Sequence, residues 1–189
     1  MSRGREKFYK YKNFIRLVYK SYSLFPHKIQ VKLLEKNRNS KGYIGQVKRY
    51  ALLKNLAKSI GDNVSIKEGV YLYNTENLII GDNVSIWPMV YIDAYGGINI
   101  GNDVSIAHGA SILSFEHTFK SREIPIKDQE VVSLPVKIHD NVWIGAKATI
   151  LGGTKVCTGC VIGAGSVVTR DTNSNAVYCG VPAKKIKDR

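Results

Sequence analysis

From Ile138 onward an aliphatic residue returns every six positions, at Ile138, Ile144, Ile150, Val156, Ile162 and Val168. A small or β-branched residue tends to fall four places later, at Val142, Ala148, Thr154 and Ser166. An α-helix repeats at about 3.6 residues and a strand at 2, so a period of six fits neither. It fits a solenoid whose coil has three short flat faces of one hexapeptide each. The aliphatic side chain then points inward and stacks on its equivalents in neighbouring coils. IGDNVSI occurs at Ile60–Ile66 and at Ile80–Ile86, followed by IGNDVSI at Ile100–Ile106. These steps of 20 describe an 18-residue coil with a two-residue bulge, and Ile138 follows Ile100 by 38. One coil therefore carries 18 to 20 extra residues between Ile112 and Val136. That segment, LSFEHTFKSREIPIKDQEVVSLP, reads as a loop at about 114–135 thrown out from a rigid stack. Loops longer than about 12–15 residues are usually functional or disordered.

Ahead of the coils the pattern is helical. Phe8, Tyr11, Ile15, Val18 and Tyr22 are spaced 3, 4, 3 and 4, one stripe of a helix, with Lys10, Lys12, Arg16 and Lys20 off the stripe and Leu17 interrupting the polar side. Pro26 can open a second helix through Ile29, Leu33 and Leu34, and Val47, Tyr50, Ala51, Leu53 and Leu56 suggest a third. The expected organisation is a basic, largely helical arm or cap over residues 1–58 and a solenoid over 59–187.

Charge sharpens this division. Residues 1–58 hold 16 Lys/Arg against Glu6 and Glu35, net +14, whereas the remainder holds 12 Lys/Arg and 13 acids, net −1. The excess lies in the arm and the solenoid is almost neutral, so no nucleic-acid partner is expected. Three cysteines, no run of about 18 apolar residues and no apolar signal core lead to the expectation of a cytoplasmic protein. Cys157 and Cys160 form a C-x2-C without a second ligand pair at zinc spacing, which reads as structural, and no metal is expected. An amphipathic basic helix at residues 1–25 also suits the surface of an anionic membrane, with Arg3, Arg5 and Lys7 adding to its cations. That arrangement would hold the protein at the inner membrane face; the rival is a helix that only caps the open solenoid end.

IGNDVSIAHGASILSFEHTF, IHDNVWIGAKATILGGTKV, IGAGSVVTRD and the terminal GVPAKKIK, in this order, resemble the hexapeptide-repeat acyltransferases. The resemblance covers about residues 60–187. It is nearest in type to the galactoside/maltose O-acetyltransferases and their polysaccharide and capsule relatives. It implies a left-handed parallel β-helix, a homotrimer, acetyl-CoA as donor and a site between neighbouring subunits. Carried over residue by residue, the catalytic histidine falls on His117. Attack by a sugar hydroxyl on a thioester needs such a base of near-neutral pKa. His27, His108 and His139 read as structural. Trp143 matches the tryptophan of the pantetheine groove, followed by Gly145 and Ala146, and Ala164 matches the small residue beside the cofactor arm. Relatives often carry a serine where Ala146 stands, so the resemblance implies no side-chain hydroxyl role there. Thr169 and Arg170 match a threonine–lysine pair, and Lys187, with Lys184, suits the phosphates of CoA.

On the acceptor side the resemblance fails. A carboxylate of the galactoside enzymes aligns with Tyr95, while Asp93 stands two places earlier. Asp93 fits either a sugar contact among tyrosines or an Asx-type turn before Gly96. Glu116 joins Asp93 and Tyr95 as an acceptor-side candidate. It could also orient the His117 imidazole, but only if the segment is a loop, since neighbours on a strand point opposite ways. Acetylation of a sugar hydroxyl in a polysaccharide or glycan precursor is the expected function. The alternative is N-acetylation of an amino sugar or nucleotide-linked amino sugar. A carbonic-anhydrase-like metal site would need three converging histidines, which the spacing does not offer, and a scaffold without catalysis would make His117 dispensable.

Overall fold

The computed structural model describes residues 4–189, with the side chains of Arg5 and Lys7 left aside. Arg3 lies outside the described residues, and so do the side-chain roles expected of Arg5 and Lys7. Four helices, α1 (Gly4–Lys10), α2 (Lys12–Ser23), α3 (His27–Lys36) and α4 (Gly42–Leu56), precede the coils. The single first helix expected from the stripe is broken at Tyr11, whose φ of −106° and ψ of 11° leave the helical region. The last helix begins at Gly42, more than one turn ahead of Val47, its first buried apolar side chain.

From Ser59 the chain winds through three parallel sheets. The first sheet takes Ser59–Ile60, Leu78–Ile80, Ile98–Ile100, Val136–Ile138 and Lys155–Val156 from successive coils. The second takes Ser65–Ile66, Ser85–Ile86, Ser105–Ile106, Trp143–Ile144, Val161–Ile162 and Ala176–Cys179, and the third Tyr71–Tyr73, Tyr91–Asp93, Ser111–Leu113, Thr149–Ile150 and Val167–Val168. Inward positions pair directly: Ile60 with Ile80, Ile80 with Ile100, Ile100 with Ile138 and Ile138 with Val156. Ile66, Ile86, Ile106, Ile144 and Ile162 form the second column, and Ile92, Ile112, Ile150 and Val168 continue the third. These side chains are buried, as are Val142, Ala148, Thr154, Cys160 and Ser166 in the narrower positions between them. At about 1.5–3 kcal/mol for each fully buried aliphatic side chain, the column is the main stabilising element.

The glycine of IGDNVSI has a specific cause at the first corner, between the first and second sheets. There Asp62 N–H donates to Asp82 Oδ1 (2.7 Å), Asp82 N–H to Asn102 Oδ1 (2.8 Å) and Asn102 N–H to Asp140 Oδ1 (2.7 Å). A Cβ at Gly61, Gly81 or Gly101 would run into that oxygen of the next coil. The coil above His139 carries Thr158 at this place instead of an acid or amide, and there the glycine is replaced by histidine.

The cap exists because the first coil would otherwise expose unpaired carbonyls. Donors from α4 reach them: Lys54 Nζ to Ile60 O (2.9 Å), Tyr50 Oη to Gly61 O (2.9 Å) and Arg49 Nε to Ile66 O (3.1 Å). Arg49 is fully buried, and its Nη1 also donates to the carbonyls of Asn37 and Ser40. Burial holds its guanidinium below its ordinary pKa, and burial also pushes the Tyr50 phenol up. Phe8 and Ile15 pack into the same core, with Phe8 edge-on to Tyr50 at 5.7 Å. Phe8, Ile15 and Val18 of the first stripe are therefore the cap's own contact, while Tyr11 stays exposed. Replacing Arg49 with Leu should lower stability by about 3 kcal/mol, since the carbonyls of Ile66, Asn37, Arg38 and Ser40 lose a charged donor; chemical denaturation of the variant measures this, and a change under 1 kcal/mol would contradict the account.

Candidate active site

The extra residues leave at the third corner, between the third and first sheets, where the first two coils already bulge. They form a two-stranded antiparallel arm and not an irregular loop. Phe115 pairs with Ser133, Glu116 with Val132 and His117 with Val131. Ser114 ties down the base: its fully buried Oγ accepts from Gly96 N–H (2.9 Å) and donates to Asp93 O (2.9 Å), while Leu134 N–H donates to Ser114 O (2.8 Å). At the tip, Gln129 Nε2 donates to the carbonyls of Ser121 (3.0 Å) and Ile124 (2.8 Å). Phe119, Ile124 and Ile126 nevertheless stand half or more exposed.

His117 ends the outgoing strand, exposed, and makes no side-chain hydrogen bond among the described residues. Glu116 lies in the same strand and so projects to the opposite face of the arm. The segment is thus a strand and not the loop that would let Glu116 orient the imidazole within one chain. Asp93 Oδ1 accepts from Asn74 Nδ2 (2.6 Å) and from Tyr95 N–H (3.2 Å), the second bond being the Asx-type turn. Its neighbours are Tyr91 and Tyr73, whose rings lie 5.4 Å apart. Burial, then the Asp93 charge, holds the Tyr91 phenol above its ordinary pKa. Tyr95 is half exposed and meets Phe115 of the arm edge-on at 5.7 Å. The acceptor-side candidates thus cluster at the foot of the arm.

The donor-side candidates form a second group. Trp143 projects from the outer face of the second sheet, 55% exposed, where it is accessible to a ligand. Gly145 and Ala146 follow at the second corner, and Gly165 N–H donates to Ala146 O (2.8 Å), so that Ala164 comes one coil beyond Ala146. A Cβ on Gly145 would lie 2.6 Å from Ala164 N and Ile162 O, which makes glycine a packing requirement. His108 stands one coil on the other side, its carbonyl accepting from Lys147 N–H (3.0 Å). Sequence reasoning left it out of this strip because its place depends on coil register. The chain end, Lys184–Asp188, adds an antiparallel strand to the second sheet, with Lys187 opposite Val177 and Lys184 opposite Cys179. Lys185 is held by Asp188 (2.6 Å), which raises its pKa, chiefly through that hydrogen bond. Thr169 and Arg170 do not join this group; they are exposed at the third corner, on the side of the arm. Cys157, Cys160 and Cys179 are free, and no cluster of three or more His, Cys, Asp or Glu forms among the described residues.

In a three-sided coil the third corner lies opposite the second sheet. His117 and Trp143 of one chain therefore face away from each other.

The family model for bacterial transferase hexapeptides (six repeats) matches residues 135–170. A galactoside O-acetyltransferase from Escherichia coli (strain K12) is 34% identical over 141 residues, 75% of this chain and 68% of that protein. A probable acetyltransferase from Mycobacterium tuberculosis is 38% identical over 78 residues, 41% of this chain but only 26% of that protein's length. Among solved structures, a hexapeptide-repeat-containing acetyltransferase of Vibrio cholerae O1 biovar eltor, complexed with acetyl coenzyme A, superposes with a TM-score of 0.76. It is 25% identical, and the match covers 86% of each chain. The chain belongs to the hexapeptide-repeat acetyltransferase family, and its solenoid is the left-handed parallel β-helix of those enzymes.

Proposed function

We propose that the protein is an acetyl-CoA-dependent O-acetyltransferase acting on a sugar hydroxyl of a polysaccharide or glycan precursor, and that it works as a homotrimer. The observation that carries this reading is the opposed placement of His117 and Trp143. An arm about three residues per strand, with an apolar tip, reaches outward from the third corner and needs a partner surface. The exposed second sheet of a neighbouring copy supplies one, and rotation about a threefold axis closes the ring. Each site then combines the arm, Asp93 and Tyr95 of one subunit with Trp143, Ala146 and Ala164 of the next.

In that site His117 takes the proton from the acceptor hydroxyl as its oxygen attacks the thioester carbonyl, and returns the proton to the leaving thiolate. Gly145 N–H is already bonded to Ile162 O (2.8 Å), whereas Ala146 N–H makes no hydrogen bond among the described residues and is the donor left for the oxyanion. Lys184 and Lys187 offer cations to the CoA phosphates. Replacing His117 with Ala should lower turnover by about 10²–10⁴-fold with acetyl-CoA affinity little changed, measured by thiol release over a panel of sugars and amino sugars. Near-normal turnover would sink the assignment, and transfer only to amines would move it to N-acetylation. Co-expressing His117→Ala with Trp143→Ala subunits should restore about one quarter of the sites, because random association pairs two intact halves at that frequency. If both inactive variants stay inactive together, the site is not shared.

The arm helices add an attachment to anionic membrane. No helix among the described residues is long and apolar enough to cross a membrane, so contact would be at the surface. The face of α2 turned away from Ile15 repeats Phe14, Leu17, Ser21 and Leu24 at 3, 4 and 3 residues, with Phe14, Leu17 and Leu24 more than half exposed. Lys10, Arg16 and Lys20 are exposed nearby, while Lys12 is engaged by Asp62 at 2.6 Å. Burying three such side chains contributes about 4 kcal/mol, against about 3 kcal/mol from three cations at an anionic surface. The apolar contribution is the larger, so salt should weaken binding without abolishing it. Liposome co-sedimentation should show binding to anionic vesicles that Phe14→Ser with Leu17→Ser removes while the oligomer persists; unchanged binding by that double variant would refute the assignment.

A further inference from the structure

A cleft of about 710 Å³ separates the helical cap from the outer face of the second sheet. We propose that it is a subsite for the neutral oligosaccharide portion of an extended acceptor, continuous with Trp143; the inference rests on the sugar acetyltransferase reading above. Its size is within the ordinary range of ligand pockets. Trp87 and Tyr43 present rings that are 47% and 43% exposed, and Phe8, Ile15 and Tyr50 close the apolar wall. Between the rings stand neutral hydrogen-bonding groups. Gln46 Oε1 accepts from Ser65 Oγ (3.0 Å) and Lys67 Nζ (3.3 Å), and Asn63 Nδ2 donates to Asn83 Oδ1 (3.0 Å), leaving the Asn83 amide donors for a ligand.

This combination selects among ligand chemistries. A sugar has flat C–H faces that lie on aromatic rings and hydroxyls that both donate and accept, as amides and serines do. An acyl chain would leave the amides unpaired at about 1–3 kcal/mol each. A phosphate would find one cation, Lys67, already bonded to Gln46 and set 5.8 Å from the Trp87 ring. No Asp or Glu is among the lining residues to hold a cationic ligand.

A line of register positions leads from the cleft toward Trp143. Ser65, Ser85, Ser105 and Trp143 occupy one register position on successive strands of the second sheet, all facing outward. The hydroxyls of Ser85 and Ser105 make no side-chain hydrogen bond among the described residues. At one strand spacing per step, Ser85 lies about 10 Å from Trp143, farther than one sugar ring reaches. The track therefore favours an acceptor of several residues, acetylated at one unit and held by the others.

The chain has two tryptophans, so in Trp143→Phe protein Trp87 reports alone. Neutral oligosaccharides of one to six units, built from glucose, galactose or N-acetylglucosamine, are titrated against its emission. The expected result is a saturable change for at least one series at three units or more. Binding should be at least tenfold tighter than for the monosaccharide, and Gln46→Ala or Ser85→Val should weaken it at least tenfold. Val161 and Val177 sit at the register position of Ser85, so valine is compatible with folding there. No saturable change with any series, or unaltered affinity in both variants, overturns the subsite. Thiol release by the unmodified protein is followed separately. Acetyl transfer without oligosaccharide binding at Trp87 removes only the subsite, whereas binding without transfer to any acceptor removes the enzymatic reading and leaves a glycan-binding cleft.

Discussion

Every coil must sit on the next at a single strand spacing, and the rest of the structure follows from that constraint. Only a narrow set of side chains fits inside, which is why Ile or Val recurs in all three columns and why Ala148 or Ser166 fills the tighter places. The same closeness forbids a side chain at Gly61, Gly81 and Gly101, where a carboxylate or amide of the neighbouring coil caps the backbone N–H. Anything additional has to leave at a corner. The two-stranded arm does so at Ser114 and Leu134, and the two tyrosine-bearing bulges, at Asn74 and Tyr95, use that corner as well.

Rigidity of the column and reach of the arm divide the chemistry between them. Trp143, Ala146 and Ala164 are fixed to within the tolerance of β-sheet register, as the donor groove proposed for them would require. His117 is carried on a projecting hairpin anchored by one buried serine. In the proposed site, a base mounted this way would be positioned by whatever the arm touches, so its geometry would depend on assembly more than on the fold of a single chain.

Much of this was legible in the residues. The period of six gave the coil, and the step of 38 gave both the existence and the length of the insertion. The strand pairing within that insertion was not visible, because it is set by Ser114 at the base and Gln129 at the tip, not by alternation. The helix faces show a different limit. Phe8, Ile15, Val18 and Tyr22 form one stripe, and Phe14, Leu17 and Leu24 form another at the same period; only packing against α4 decides which is buried. Leu17, the residue that interrupted the polar side, was the one sign of the second stripe. The resemblance placed His117 and Trp143 together, but a linear motif carries no statement of which corner each leaves from.

Both ends of the column are closed, and by different means. At the start, Arg49, Tyr50 and Lys54 give donors to the first coil. At the finish, Lys184–Asp188 runs antiparallel along the last strand of the second sheet, Thr172 N–H takes the Lys155 carbonyl, and Ala183 N–H takes that of Val167. A solenoid is a self-complementary stacking unit, so an open end would accept the opposite end of another copy and grow as a fibre. The reversed, lysine-rich final strand offers such a copy the wrong direction and a row of like charges. Growth along the column axis is thereby disfavoured, and the proposed trimer would form through the sides, the direction in which the arm extends.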